Sequence, residues 1–228
     1  MRRCLFLLVL MSVGTTLCTF GQGIALGDFE AWTHLSQDSS SNFFYPKLLH
    51  RFMQGDTTLS DDELVLLNHG YTLRPEYSPY GQGLTEDSLY QYNREEKFAA
   101  ALEAGNRYLL ENPVSLRANI AMVIACRRLG LFDDSDKYQR RIRQLMRAIL
   151  ATGSGRSPDS AYAVINVRDE YVVLNYLGYS SSSQSLIRGK SGRSYDKLEA
   201  VSRKGSSDRK VFYFDITRAI LSFGRDLK

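Results

Sequence analysis

Residues 114–150 read VSLRANIAMVIACRRLGLFDDSDKYQRRIRQLMRAIL and residues 161–167 read AYAVINV, and the change of periodicity between them decides the fold class. In the first stretch apolar side chains recur every three or four positions, the period of an amphipathic helix. Gly130 divides it into helices expected over about residues 114–129 and 133–150. In the second, β-branched and aromatic residues crowd together as in a strand. TGSGRSPDS, residues 152–160, joins the two with turn chemistry.

Upstream, Tyr92, Phe98, Ala101, Leu102, Tyr108 and Leu109 mark one amphipathic helical region that ends at Asn112-Pro113. Further back, Asp28 is placed to cap a short helix, residues 44–53 carry Leu48, Leu49, Phe52 and Met53 at helical spacing, and Ser60-Asp61-Asp62-Glu63 opens a third helix with a capping box. YTLRPEYSPYGQG, residues 71–83, is too rich in Pro and Gly for a helix and too aromatic for an idle linker, so an ordered loop crossing the surface is expected. Downstream, SQSLI, YDKLEAV and KVFYFDI read as strands separated by GYSSSS, RGKSGRS and SRKGSSD as turns. Residues 170–177 read as a helix stopped by Gly178, and residues 217–223 as a closing helix. The expectation is an α+β protein, with N-terminal and central helical hairpins packed against a small, mainly antiparallel C-terminal sheet. Residues 22–228 are expected to form a single domain, helical over 22–152 and β-rich over 153–228.

The hairpin region, about residues 82–150, resembles tetratricopeptide repeats. Pro113 matches the closing proline, Tyr92, Phe98 and Ala101 the packing positions, and Gly130, Phe132 and Ser135 the turn and close-crossing positions of a second unit. The repeat's Trp and Leu-Gly signature is missing, and Gly105 stands where an aromatic belongs. Fewer than two units are recognisable, whereas stacked repeats need about three. The helices therefore need other structure to cover them.

The amino terminus reads as an export signal. Arg2 and Arg3 precede CLFLLVLMSV, residues 4–13, which is apolar but short of the about 18 residues of a membrane helix. Thr19 and Gly21 offer small residues for cleavage before Gln22. Leu17 is large where lipoprotein processing wants a small residue, which argues against lipidation at Cys18. Loss of residues 1–21 leaves 27 basic against 25 acidic residues, a net +2 that demands no nucleic acid. It also leaves Cys126 as the one cysteine, in an apolar helical stretch where a small core side chain is expected.

Several segments together resemble a known group of exported proteins: FYPKLL at residues 44–49, Gly70-Tyr71, PEYSPY at residues 75–80, Asp169-Glu170-Tyr171, Gln184-Ser185-Leu186, Tyr195-Asp196 and YFDI at residues 213–216. The resemblance is to the Bacteroidetes family catalogued as domain of unknown function 4919, and it covers nearly all of the chain after residue 21. It implies an exported, single-module protein and brings no activity or catalytic residue with it.

The chemistry of common enzymes lacks its spacings. His34, His50 and His69 are scattered where zinc would want ligands a turn apart. There is no GxSxG elbow and no phosphate loop; Gly81-Gln82-Gly83 reads as a turn. Acids at 61–63 and 133–136 open helices, where the dipole favours them. No catalytic residue, metal or cofactor is expected. Two groups remain as candidate binding residues: Tyr71, Tyr77 and Tyr80 of the aromatic loop, and Lys137, Arg140 and Arg141, which share a helix face able to meet anions. The tyrosines also suit stapling the loop to the helices, and the basic residues suit a solvated face. The leading expectation is a non-enzymatic binding or scaffolding module with a protein or glycan partner in the cell envelope. The alternatives are a hydrolase of glycans or peptidoglycan, and a binder of anionic membrane surfaces or glycans.

Overall fold

The computed structural model describes residues 28–79, 85–189, 192–205 and 208–226. The expected export signal, Tyr80 and the glycines at 81 and 83 lie outside them. Helix α1 (Phe29–Gln37) starts where the Asp28 carboxylate accepts the Ala31 N–H at 2.9 Å. Helix α2 (Tyr45–Met53) takes Pro46 in its first turn, where a missing N–H costs nothing, and buries Tyr45, Leu48 and Phe52. Both halves of the Ser60/Glu63 capping box form at the start of α3 (Asp61–Tyr71). Every residue of α3 from Leu64 to Tyr71 is buried, which makes it the central helix.

The helical region expected over residues 92–112 is two helices, α4 (Glu86–Arg94) and α5 (Phe98–Glu111). Between them Glu96 takes a left-handed φ of 57°, which reverses the chain. Apolar spacing runs through that turn, so periodicity alone hides it. Helices α6 (Leu116–Arg128) and α7 (Phe132–Leu150) follow, with Gly130 at a φ of 74° between them. A Cβ on Gly105 would lie 2.1 Å from the Met122 sulfur, so the glycine lets α5 and α6 approach closely.

Strand β1 (Tyr162–Ala163) is shorter than AYAVINV suggested, and α8 (Asp169–Tyr176) follows it. Three strands then form a meander: β2 (Tyr179–Arg188), β3 (Ser194–Ser202) and β4 (Arg209–Asp215), after which α9 (Thr217–Asp226) ends the described chain. The sheet order is β1-β4-β3-β2, with β1 parallel to β4 and the other pairs antiparallel. The serine run at residues 180–183, expected as a turn, is the first half of β2, held by its ladder to β3 with a bulge between Ser181 and Ser183.

One apolar core joins the halves. Trp32, Leu48, Phe52, Leu66, Leu145 and Ile149 from the helices pack with Val173, Leu198, Phe212 and Phe214 from α8 and the sheet. A second cluster of Leu89, Ala104, Ala118, Met122, Cys126 and Tyr138 lies among α4 to α7. The sheet thus shares its core with α3 and α7, while α4, α5 and α6 close on one another and on α7.

Candidate functional site

Tyr71 and Tyr77 are buried, with rings edge to face at 5.6 Å. The Tyr71 hydroxyl donates to Asn112 Oδ1 at 2.7 Å and the Tyr77 hydroxyl to the Ile165 carbonyl at 2.5 Å. They therefore tie the loop after α3 both to the end of α5 and to the segment that leads into α8. Arg141 is buried on α7; it donates to the Met53 carbonyl at 3.2 Å and lies over the rings of Phe52 and Tyr138. Lys137 pairs with Asp134 at 2.8 Å, and Arg140 is half-buried on the same helix. The basic face thus turns partly inward and does not meet the tyrosines.

What gathers around the tyrosines is a set of acids. Glu86, in the first turn of α4, and Asp169, in the first turn of α8, both line a cleft with Tyr71, Tyr77, Tyr108, Asn112 and Ser115. Its cavity volume is about 30 Å³, room for one or two water-sized groups. Glu86 accepts from the Ser115 hydroxyl at 2.5 Å and lies 3.6 Å from the Arg117 guanidinium. Burial raises its pKa, and the Ser115 bond and Arg117 pull it back. Asp169 is 3% exposed and its Oδ1 has no hydrogen-bond partner. Burial, and then the charge of Glu86, push its carboxyl well above the ordinary range.

Arg117 also lines a wider groove on the outside of this wall. There Tyr90, Ile120, Arg168, Tyr171, Val172 and Asn175 join it around a volume of about 520 Å³. Asp87 holds both guanidinium groups, pairing with Arg117 at 3.1 Å and with Arg168. Arg117 stacks 4.9 Å from the Tyr90 ring centre, and Tyr171 donates its hydroxyl to Gln184 while remaining 45% exposed.

Next to Asp169 in sequence, Glu170 is fully buried and neither of its oxygens makes a hydrogen bond of ordinary geometry. Burial first, then the Asp196 carboxylate, push its pKa up to about 10. Asp196 itself is raised by burial and accepts from Gln184 at 2.5 Å. Elsewhere His69 is buried beside Phe29 and Trp32, within 3.0 Å of the Thr33 hydroxyl, and burial lowers its pKa to about 3, so it is neutral. Among the described residues no three His, Cys, Asp or Glu side chains converge as metal ligands would.

Glu86, Asp169, Glu170 and Asp196 do not stand out in sequence as site residues. Glu86, Asp169 and Glu170 sit in first helical turns, where acids ordinarily face water. The one signal was Asp169-Glu170-Tyr171 and Tyr195-Asp196 appearing among the segments of the family resemblance.

Fold and site together define an α+β protein whose helices enclose a cleft of tyrosines and buried acids. The chain belongs to the family described as domain of unknown function (DUF4919), whose model matches residues 33–223. No curated protein and no solved structure matches it.

Proposed function

We propose that this is an exported binding module, without catalysis of its own, that takes a peptide or glycan ligand in the groove between α4, α6 and α8. The observation that carries this reading is the groove's construction: about 520 Å³, the size of small-ligand sites, with Tyr90, Tyr171, Arg117 and Arg168 around an apolar floor of Ile120 and Val172. Tyrosine and arginine are the side chains that most often carry binding energy. Asp87 holds both guanidinium groups in place before any ligand arrives, which reduces the ordering cost of binding. Tyr71 and Tyr77 support the inner wall. The likeness of the hairpins to tetratricopeptide repeats favours a partner-binding role, and the basic, apolar amino terminus supports placement in the envelope after cleavage near Gly21.

The test is an NMR fragment screen of residues 22–228 with short acidic peptides and saccharides. Shifts clustering on Tyr90, Arg117, Arg168 and Tyr171 are expected; hits confined to other surfaces, or none at millimolar concentration, overturn the reading.

A glycan-hydrolase reading draws on the convergence of Glu86 and Asp169. It ranks second because an acid and a base need pKa values pushed apart. Here burial raises both, and the cleft between them admits only water-sized groups.

A further inference from the structure

We propose that the inner cleft is a receptor for a primary ammonium group of a ligand of this module, held between Asp169 and Glu86. This rests on the binding-module reading and names the chemistry of its ligand. The observation behind it is Asp169: 3% exposed, lining the cleft, with Oδ1 unpartnered by any protein donor. A buried acceptor left open this way costs free energy that a bound donor recovers. Its polar lining includes the Glu86 carboxyl, the Ser115 hydroxyl, which donates to Glu86, and the Asn112 amide. A volume of about 30 Å³ suits an NH3 head and is too small for a sugar ring or an aromatic side chain.

Charge points the same way. The groups facing the cleft or its wall are Glu86 and Asp87 on α4, Arg117 on α6, and Arg168 and Asp169 on α8. When all are ionised they sum to −1, and one ammonium brings the set to neutrality. Tyr71 on α3 and Tyr108 on α5 stay protonated, since burial raises both pKa values. Glu170, next to Asp169 in the chain, keeps its proton beside Asp196, and neither adds positive charge. Burial pushes the Asp169 carboxyl well above its ordinary range in the empty protein, so binding of an ammonium is expected to release a proton from it. Arg117, which lines the outer groove, lies 3.6 Å from Glu86 of the cleft, so the groove and the cleft stand on two sides of one wall.

The experiment is calorimetric titration with glucosamine and ethanolamine against their neutral analogues N-acetylglucosamine and ethylene glycol, in two buffers of different ionisation enthalpy. Amines are expected to bind at least tenfold tighter than the neutral analogues, with release of close to one proton. Their affinity is expected to rise with pH, by up to about tenfold per unit for one proton released, while Asp169 is protonated in the empty protein. Asp169→Asn keeps the shape and the neutral state of the empty cleft, so the variant folds with an unchanged Tm and loses amine binding at least tenfold. Equal binding of amines and neutral analogues, amine binding without proton release, or full binding by the folded D169N protein overturns the inference. Fragments that still bind the outer groove while no amine enters the cleft would defeat the ammonium assignment alone. Silence at both places would defeat the binding-module reading with it.

Discussion

Glu170 is the residue on which burial acts most visibly. Its folded pKa of about 10 stands above the ordinary 4.5, so between those values the folded protein keeps a proton that the unfolded chain has released. Stability from this group is full below about pH 4.5 and falls as pH rises toward 10, by up to about 1.4 kcal/mol per pH unit for one proton. Glu170→Gln holds the neutral shape at every pH. In urea unfolding at pH 5, 7 and 9 the variant is expected to lose less stability with rising pH than the parent and to be the more stable of the two at pH 9. Equal slopes would show that Glu170 ionises normally in the folded state. Asp169, Glu86 and Asp196 are raised in the same direction, so the parent's slope contains their share and the difference between proteins reports Glu170 together with its coupling to Asp196 and Asp169. Sequence could not reveal this, because an acid in a first helical turn has a sufficient local reason to be there. Its burial is decided by Asp196 and the sheet, which lie far along the chain.

Helix boundaries were legible where side chains cap the backbone locally, and Ser60 and Ser115 show what such caps contribute. Ser60 accepts the Glu63 N–H at 3.2 Å on an exposed helix start, and Ser60→Ala is expected to cost about 1 kcal/mol. Ser115 accepts the Ala118 N–H at 3.0 Å and also donates to the buried Glu86 at 2.5 Å. Ser115→Ala therefore loses a cap and leaves a buried acceptor open, which adds about 1–3 kcal/mol to the first loss. Chemical denaturation of both variants decides the matter; equal costs would mean the Glu86 bond contributes nothing to folding. Two elements were illegible for the opposite reason, that their cause is not local. The serines of β2 carry no strand pattern and owe their conformation to the ladder with β3. The turn at Glu96 interrupts an unbroken apolar period, and the α4–α5 packing that closes over it depends on partners in α6.

For the molecule as a whole, the shared core sets how cooperatively it unfolds. Phe214 is fully buried on β4, its ring 5.8 Å from that of Tyr162, in the cluster that also holds Leu66 of α3 and Leu145 of α7. Removing the ring opens a cavity in the core that the helices and the sheet share, so the cost of about 3–5 kcal/mol is expected to fall on both layers. In hydrogen exchange of Phe214→Ala, amides of α3 and α7 are expected to lose protection by the same factor as those of β3. If the sheet alone loosened while α3 kept its protection, the layers would be separate folding units, with the Tyr77 bond to Ile165 only a latch between them. The smaller cluster among α4 to α7 is expected to open more readily than the shared core, because its contacts to the sheet side run chiefly through α7 and the contact of α6 with α8. That places the wall of the proposed site, Glu86 and Arg117 on one side and Arg168 and Asp169 on the other, where two packing units meet. A ligand bridging the wall is therefore expected to raise the protection of α4 and α6 more than that of β3, since it links the layer that opens most readily to the one that does not.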